Sequence, residues 1–275
     1  MSPPLTVSRG RTPRFKGSDT SDHVRFNDSD PLVAERNAHR ASRTSGTVGA
    51  AERTTFSPRP AVPKLRLRIS MSFDGYTSGP DQSLQEPLGV GGERLHEWVV
   101  ALGAWRKAHG QAGGDDDNES SRVFEAEVAN IGATIMGRHM FGGHPGGWNA
   151  EQPWRGWWGK NPPFHHPVFV LTHHERAPLV MEGDTTFHFV TDGIDSALEQ
   201  ARRAAGSKDI ALAGGATICR QYLNAGLVDE MLIHQAPILL GDGERLFEGV
   251  SDLHGLELVE TVATPNVTHF KFIKR

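Results

Sequence analysis

The segment from residue 209 to residue 239 constrains the fold of this chain most strongly. "DIALAGG" is an apolar strand, "ATICRQYLNAG" has helical spacing and ends at Gly226, and "VDEMLIHQAPIL" is a second strand. Strands and helices alternate in this way through most of the chain after Lys64, which ends in two strands, "LELVETVATPN" and "VTHFKFIKR". This order predicts a three-layer α/β/α sandwich with a mainly parallel, twisted sheet and an antiparallel C-terminal edge.

Composition divides the chain near residue 63. Residues 1–63 carry ten Lys or Arg against six Asp or Glu and are rich in Ser, Thr, Arg and Pro, whereas the whole chain of 275 residues has a net charge of −4. Because so little apolar surface cannot offset the entropy of ordering, we expect a disordered tail at 1–63 and one folded domain at 64–275. The scattered basic residues have no aromatic neighbours on which bases could stack, which argues against nucleic acid as a partner.

Other classes of protein lack support in the sequence. No stretch approaches the roughly 18 apolar residues of a membrane span. The single cysteine, Cys219, allows neither an intrachain disulfide nor a thiolate metal cluster. The 14 histidines include no HExxH motif, and neighbours such as His173 and His174 would point to opposite faces of a strand. We therefore expect a cytoplasmic protein without a bound metal.

Three segments before residue 170 have sequence patterns that predict their local structure. "GGERLHEWVVALGAWRKAHG" predicts one amphipathic helix ended by Gly110, with apolar positions at Leu95, Trp98, Val99, Leu102 and Trp105. "QAGGDDDNESS" predicts a solvated acidic loop, since it lacks the alternating spacing of a calcium loop. Residues 142–167 are rich in Gly, Pro and Trp and predict a long loop, of a kind that often covers a site. Trp148 in this loop is a candidate lid residue.

Gly214 and Gly215 end a buried strand, although glycine is a poor strand former. They are not part of a GxGxxG fingerprint and lack the lysine of a phosphate loop. A tight turn is one explanation. The other is a ligand, because Ala216 and Thr217 open a helix whose backbone N–H groups and dipole would face an anion such as a pyrophosphate. Missing Cβ atoms would also let a flat ring come close. The local sequence leaves both explanations open.

Three further strand ends carry reactive or charged side chains, and ligands of open α/β sheets bind at such ends. Gly137 and Arg138 follow "ATIM"; Arg138 either clamps a phosphate or pairs with a surface acid. Thr172 and His173, in "LTHHER", either hold an additional phosphate or form an ordinary polar loop. Asp74, in "SFDGY", is either a proton donor and substrate anchor or the first residue of a turn.

Four motifs occur together in this order: "ISMSFDGYTSG", "ATIMGRHMF", "VFVLTHH" and "IALAGGATICRQYLNAGLVDEMLIHQAPILLGDGERLF". From about residue 65 to residue 274 the chain resembles the dihydrofolate reductase-like superfamily, specifically the reductase domain of the bifunctional riboflavin-biosynthesis deaminase–reductase and its stand-alone relatives. No deaminase signature, H-x-E with P-C-x-x-C, is present.

This resemblance implies an NADPH-dependent reductase and a homodimer. Hydride would pass to a C=N or C=O of a small heterocyclic or ribosylamine-type substrate, as in the 5-amino-6-(5-phosphoribosylamino)uracil reductase of riboflavin biosynthesis. A non-catalytic or differently specific nucleotide-binding relative of the same fold is the alternative. The Trp-rich and Asp-rich loops differ from a compact riboflavin reductase and leave the substrate open.

The resemblance also implies roles for single residues. Asp74 would be catalytic beside the nicotinamide. Apart from the resemblance, we expect Gly75 and Trp148 on the substrate side. The cofactor would bind Gly137 and Arg138 through a phosphate, Thr172 and His173 through the 2′-phosphate, and Gly214, Gly215, Ala216 and Thr217 through its pyrophosphate and nicotinamide. A cis peptide would join the two glycines. His173 and His174 stand where the family often has Arg or Lys, so we expect the preference for NADPH over NADH to weaken as the pH rises through the histidine pKa.

Overall fold

The computed structural model describes residues 62–115, 118–143, 146–149, 151 and 153–275. The tail predicted at 1–63 therefore lies outside the described residues apart from its last two positions, and so does the middle of the acidic loop. Within the described ranges, no helix is both long and apolar enough to cross a membrane.

The described residues contain two sheets. Their strands are β1 (Leu65–Ser72), β2 (Tyr76–Ser78), β3 (Ile131–Gly137), β4 (Pro167–Leu171), β5 (Leu179–Val180), β6 (Thr186–Val190), β7 (Asp209–Gly214), β8 (Glu230–Ala236), β9 (Glu244–Arg245), β10 (Leu256–Ala263) and β11 (Thr268–Lys274). The large sheet has the order β10-β11-β8-β1-β7-β3-β4-β6-β5, and β2 pairs with β9. The six central strands, β8, β1, β7, β3, β4 and β6, run parallel to one another. The edge strands β10, β11 and β5 are antiparallel to their neighbours. The predicted parallel sheet with an antiparallel C-terminal edge is confirmed.

The helices lie on both faces of this sheet. They are a 3-10 helix (Gly92–His96), α1 (Glu97–Val100), α2 (Gly103–Ala108), α3 (Glu119–Val128), α4 (Arg138–Phe141), α5 (Ile194–Ala205) and α6 (Ala216–Asn224). Alternate residues of β1, such as Leu65 and Leu67, are buried in the main core with Ala201 of α5 and Tyr222 of α6. The alternation in "LRLRIS" therefore places one apolar face of β1 against α5 and α6.

The opposite face has two different coverings. Helix α3 contacts β8 through Glu127 and His234, and α1 contacts β1 through Trp98 and Ser70. Over β3, β4 and β6, residues of α4 and the Trp-rich loop form an aromatic cluster with Phe187 of β6; the α4 and loop members include Phe141, Trp148, Trp154 and Trp158. The sheet and its two coverings make the three layers predicted from the sequence.

The prediction of one continuous helix between residues 91 and 110 is wrong. Leu102 has an extended backbone, with ψ of 135°, and separates α1 from α2. The interruption is held by the acidic loop, because the Gly103 N–H donates to the Asp115 carbonyl at 3.1 Å. Apolar periodicity cannot predict such a backbone contact. Gly193 occupies the N-cap position of helix α5, and no side chain caps this helix.

Candidate functional site

The predicted site residues follow strands that are neighbours in the sheet. Strand β7 lies between β1 and β3, and β4 is next to β3. These strands run parallel, so their carboxyl ends share one edge of the sheet. Asp74, Gly215, Arg138 and Thr172 each follow one of these strand ends. The structure therefore brings the predicted strand ends to a single edge.

Gly214 and Gly215, at the end of β7, differ in whether the fold itself requires a glycine at that position. The peptide bond between Gly214 and Gly215 is cis, as the resemblance implies. Gly214 has a φ of +122°, which residues with side chains rarely adopt. Gly215 has a φ of −74°, and a Cβ added there would meet no atom within 4 Å. Packing within the described fold gives no reason for glycine at 215, so open space remains beside the backbone there.

The N-terminus of α6 adjoins this space. Gly215 is its N-cap, and no side chain caps the first turn. Ala216 is buried, whereas Thr217 is exposed and its hydroxyl accepts a hydrogen bond from Arg220 at 3.2 Å. The N–H groups of this first turn and the helix dipole suit an anionic group.

Gly137 has a packing reason to be glycine. A Cβ at this position would lie 2.7 Å from Cγ1 of Ile218 on α6, well inside the ordinary contact distance of about 3.5–4.0 Å. The backbone of β3 and helix α6 thus approach closely because residue 137 lacks a side chain. This contact explains the glycine without a cofactor, and the predicted cofactor role of Gly137 stays a prediction.

Two guanidinium groups lie against one indole near the ends of β3 and β4. The carbon Cζ of Arg138 is 3.9 Å from the ring centroid of Trp148, and Cζ of Arg176 is 4.7 Å from the same centroid. Arg176 also lies 4.9 Å from the ring of Phe189. We call Arg138, Trp148, Arg176 and Phe189 the arginine–tryptophan cluster. Its indole N–H donates to the carbonyl of His174 at 2.9 Å, which fixes the ring.

The cluster concentrates positive charge. Burial, followed by the neighbouring Arg176, lowers the pKa of Arg138, and burial, followed by Arg155, lowers the pKa of Arg176. Among the described residues, the buried Nη1 of Arg176 has no hydrogen-bond partner. An open groove beside it is lined by Arg176, Phe189 and Thr191, and also by the acidic residues Glu175 and Asp192. The cluster therefore offers two cations and an aromatic surface, next to carboxylates.

Thr172 and His173 lie in the turn that follows β4. Thr172 is buried, and its hydroxyl accepts the backbone N–H of His174 at 3.2 Å, so it holds the local turn. His173 and His174 are exposed. Arg176 follows this turn in the sequence, and arginine stays charged across the pH range in which histidine titrates. The predicted phosphate contacts of Thr172 and His173 stay predictions.

Asp74 holds a loop in place. Its carboxylate accepts hydrogen bonds from the Ser72 hydroxyl at 2.6 Å, the Gly241 N–H at 2.8 Å and the Leu240 N–H at 3.2 Å. Burial raises the pKa of this carboxyl, but the three hydrogen bonds together hold the pKa below its ordinary value. An aspartate that stays ionised in this way is a poor proton donor at neutral pH. The geometry thus favours the anchoring role of Asp74 over the predicted role as acid.

Arg245 is part of this substrate-side group and was not predicted. It donates to the Asp74 carbonyl at 3.0 Å and to the Tyr76 hydroxyl at 2.8 Å, and it lies 4.2 Å from the centroid of the Tyr76 ring. Gly75, with a φ of +90°, lies against the same guanidinium. The only hint in the sequence was the position of Arg245 in the motif "LGDGERLF".

Trp148 is separated from this group. It belongs to the arginine–tryptophan cluster at the ends of β3 and β4, whereas Asp74 and Gly75 adjoin Gly241 and Arg245 beyond the ends of β1 and β8. Gly215 follows β7, between the two groups. The predicted role of Trp148 in substrate binding is therefore less favoured than a place beside Arg138.

Comparisons with known proteins were made by sequence and by structure. Residues 63–270 match the model of the RibD C-terminal domain family. The chain is 44% identical over 188 residues to the riboflavin biosynthesis protein RibD of Corynebacterium ammoniagenes, over 66% of this chain and 45% of that protein. It is 36% identical over 80 residues to the uncharacterized protein YyaP of Bacillus subtilis (strain 168), over 29% of this chain and 42% of YyaP. The chain thus spans less than half the length of these two curated relatives.

A crystal structure from Thermotoga maritima is similar in fold. It is a diaminohydroxyphosphoribosylaminopyrimidine deaminase/5-amino-6-(5-phosphoribosylamino)uracil reductase, 13% identical in sequence, with a TM-score of 0.46 over 78% of this chain and 57% of that chain.

The fold and its strand-end site define an α/β protein whose predicted site residues lie at the carboxyl edge of a mainly parallel sheet. Within that class the chain belongs to the RibD C-terminal domain family, because the family model matches residues 63–270.

Proposed function

We propose that this protein is an NADPH-dependent reductase of the kind used in riboflavin biosynthesis. Gly215 is the observation that carries the proposal. Its φ of −74° is open to other residues, and a Cβ there would meet no atom of the protein within 4 Å. A ligand lying on this backbone is a physical reason for glycine that the fold itself does not supply. Membership of the RibD C-terminal domain family supports an oxidoreductase.

The edge of the sheet has the groups that a dinucleotide phosphate needs. The uncapped N-terminus of α6 would hold the pyrophosphate. Arg138 and Arg176 would hold the remaining phosphate, and the buried, unpartnered Nη1 of Arg176 among the described residues fits this use. When bound, NADPH supplies the hydride. Gly215 would leave room for its ring, and Trp148 would keep both arginines in place through cation–π contacts.

The substrate side is proposed around Asp74, Gly75 and Arg245. Asp74 would fix the loop at Leu240 and Gly241, so that Arg245 presents its guanidinium beside Gly75. The substrate we propose is a small heterocycle or ribosylamine with a reducible C=N or C=O, as the resemblance to the reductases of riboflavin biosynthesis implies; the RibD relative is named a riboflavin biosynthesis protein. Because Asp74 is held ionised, the proton for the product would come from water.

Thermal denaturation of the full chain with NADPH or NADH tests the cofactor. Binding at about 100 times the dissociation constant stabilises a protein by roughly 2.7 kcal/mol, or about 5–10 °C for a domain of this size. We expect Gly215→Ala to keep the melting temperature of the free protein and to weaken NADPH binding about tenfold or more, since the new methyl group occupies the ligand's space. No shift with either nucleotide, or unchanged binding by Gly215→Ala, contradicts the proposal.

The contribution of Arg176 can be separated from that of His173. We expect Arg176→Gln to lower the affinity for NADPH more than that for NADH, whereas His173→Gln should change the ratio of the two affinities little. The ratio should also stay constant as the pH rises through the histidine range, because guanidinium groups remain charged there. A ratio that falls with pH would instead support the phosphate contact predicted for His173.

The depressed pKa of Asp74 keeps one alternative open, a nucleotide-binding relative without catalysis. Such a protein would show the thermal shift with NADPH but no loss of the NADPH absorbance band with pyrimidine ribosylamines, pterins or carbonyl compounds. A homodimer in the cytoplasm completes the proposal, and sedimentation of the full chain measures the oligomeric state.

A further inference from the structure

A chain of polar side chains is buried between α3 and the sheet, away from the proposed site. Glu127 Oε2 lies 2.8 Å from His234 Nε2, His234 Nδ1 lies 2.8 Å from His269 Nδ1, and His269 Nε2 lies 2.9 Å from the Ser120 hydroxyl. All four side chains are buried. We call these four residues the histidine chain. Buried polar groups are costly unless each has a partner, so the contacts within this chain matter for stability.

The histidine chain links three elements. Ser120 and Glu127 lie on α3, His234 on β8 and His269 on β11. The buried residues of α3 are Ser120, Ser121, Phe124 and Glu127, so Phe124 alone among them is apolar. Helix α3 is therefore attached to the sheet largely by polar contacts, in contrast to α5, whose buried residues are all Ala or Leu.

The contact between the two Nδ1 atoms limits how many protons the histidine pair can carry. At 2.8 Å one nitrogen must donate and the other accept. With both rings neutral, His269 donates to His234 and Ser120 donates to His269, while the Nε2 proton of His234 faces Glu127 Oε2 at 2.8 Å as a close polar contact without hydrogen-bond geometry. One added proton also fits, because His234 then carries protons on both nitrogens and donates from Nδ1 to His269, which donates from Nε2 to Ser120. A second added proton places hydrogens on both facing Nδ1 atoms, and the contact breaks.

Other charged and titratable groups face the chain from the neighbouring elements. Arg68 on β1 lies 3.4 Å from Glu127. His96 of the 3-10 helix is close enough for His234 to lower its pKa further after burial, to about 4. Burial and then His234 also lower the pKa of His269 to about 4, although Glu127 acts in the opposite direction. Burial raises the pKa of Glu127, but His234, Arg68 and His269 together hold it below its ordinary value.

Trp98 of α1 lies against both imidazole rings of His234 and His269, so its fluorescence can indicate their protonation. Its ring centroid lies 4.6 Å from that of His234 and 5.0 Å from that of His269, while its indole N–H donates to Ser70 at 3.2 Å. Charging either imidazole changes the electric field at this indole, so its fluorescence should follow the protonation of the pair.

We propose that the histidine chain is a proton-limited latch. Helix α3 stays on the sheet while His234 and His269 share at most one added proton, and a second proton releases α3. This conformational device is independent of the proposed reductase activity, because none of its four residues belongs to the strand-end site.

Hydrogen exchange of the full chain, measured from about pH 7.5 to about pH 5, tests the latch. Opening that takes up one proton becomes about tenfold more favourable for each unit by which the pH falls below the ordinary histidine pKa of about 6.5, and it does not change above that pH. We expect the protection of residues 119–128, corrected for intrinsic exchange, to fall in this way while that of α5 stays constant. The fluorescence of Trp98 should change over the same pH range.

Two variants and one direct measurement decide the outcome. His269→Asn retains a donor near the Nδ1 position but cannot take the second proton, so α3 protection should become independent of pH. His109→Gln is the matched control, because His109 stacks on Trp105 at 3.8 Å outside the histidine chain; it should behave like the wild type. The same pH dependence in His269→Asn, or equal loss of protection in α3 and α5, overturns the latch.

Nitrogen NMR of the imidazole rings in the wild-type protein counts the protons without any substitution. The latch requires that at most one of the two Nδ1 atoms is protonated while α3 is protected. Two protonated Nδ1 atoms in a protein with protected α3 amides overturn the proposal even where His269→Asn fails to fold.

Discussion

Replacing Gly137 by alanine tests whether this glycine is needed for packing or for a ligand. The added Cβ would lie 2.7 Å from Cγ1 of Ile218. The φ of −84° is accessible to alanine, so backbone strain does not contribute. The expected effect is therefore the collision between the end of β3 and helix α6, and it should appear in the protein without any ligand.

The magnitude follows from the overlap. Carbon atoms in ordinary contact are about 3.5–4.0 Å apart, so the new methyl group is about 1 Å too close to Ile218. Overpacking of this size costs about 1–3 kcal/mol, and the lower entropy of the unfolded alanine chain offsets about 0.4–1 kcal/mol. The net loss of about 1–2 kcal/mol should lower the melting temperature by about 2–8 °C.

A double-mutant cycle with Ile218→Ala shows whether the collision is the cause. Ile218→Ala alone should destabilise the protein by leaving a cavity, and Gly137→Ala should fill part of that cavity. We expect the double variant to be more stable than the sum of the single effects predicts, by about 1 kcal/mol or more. Urea denaturation measures the four stabilities. Additive effects would refute the packing explanation, and a Gly137→Ala variant with unchanged stability but lost NADPH binding would assign Gly137 to the cofactor.

Three further outcomes can be measured by simple means. Asp74→Asn should destabilise the protein by about 0.5–1 kcal/mol at neutral pH, since solvent near Asp74 weakens its hydrogen bonds. Because the folded pKa of Asp74 is lowered, this difference should be complete above about pH 4 and be lost as the pH falls through the folded pKa, which thermal denaturation against pH checks. Burial, followed by Arg68, lowers the pKa of His166 to about 4. The unfolded chain therefore binds a proton at His166 more readily than the folded protein, and the folded protein loses stability as the pH falls below about 6.5. In His166→Gln, the loss of unfolding free energy between about pH 7 and pH 5 should be smaller than in the wild type by about 1–2 kcal/mol. Cys219 is buried with a pKa raised to about 12 by that burial, so a polar thiol reagent should label it only after denaturation.

The parts of the fold that were predictable depend on neighbouring residues. A buried strand followed by Gly214 and Gly215, or by Gly137 and Arg138, can be recognised locally, and parallel strands then place these ends together. The order of strands and helices in the sequence was likewise sufficient to predict the three layers and the antiparallel C-terminal edge of the sheet.

The parts that were not predictable depend on contacts between distant residues. The helix expected at 91–110 breaks because Gly103 donates to the carbonyl of Asp115. The anchoring of Asp74 requires Leu240 and Gly241. His269 gave no signal in the sequence, because its partner His234 lies 35 residues away on another strand. Side-chain type and periodicity carry no information about such pairings.

The bond between Asp74 and Gly241 joins residues 167 positions apart, and this has a consequence for the order in which the site forms during synthesis. Arg138, Arg176 and Gly215 leave the ribosome within one continuous stretch of the chain, so the proposed cofactor side is available first. Asp74 emerges earlier still, but it has no loop to hold until residues 240 and 241 follow. Because domains generally complete their folding once their non-local contacts are available, the substrate side of the sheet edge is the last part of the site to close.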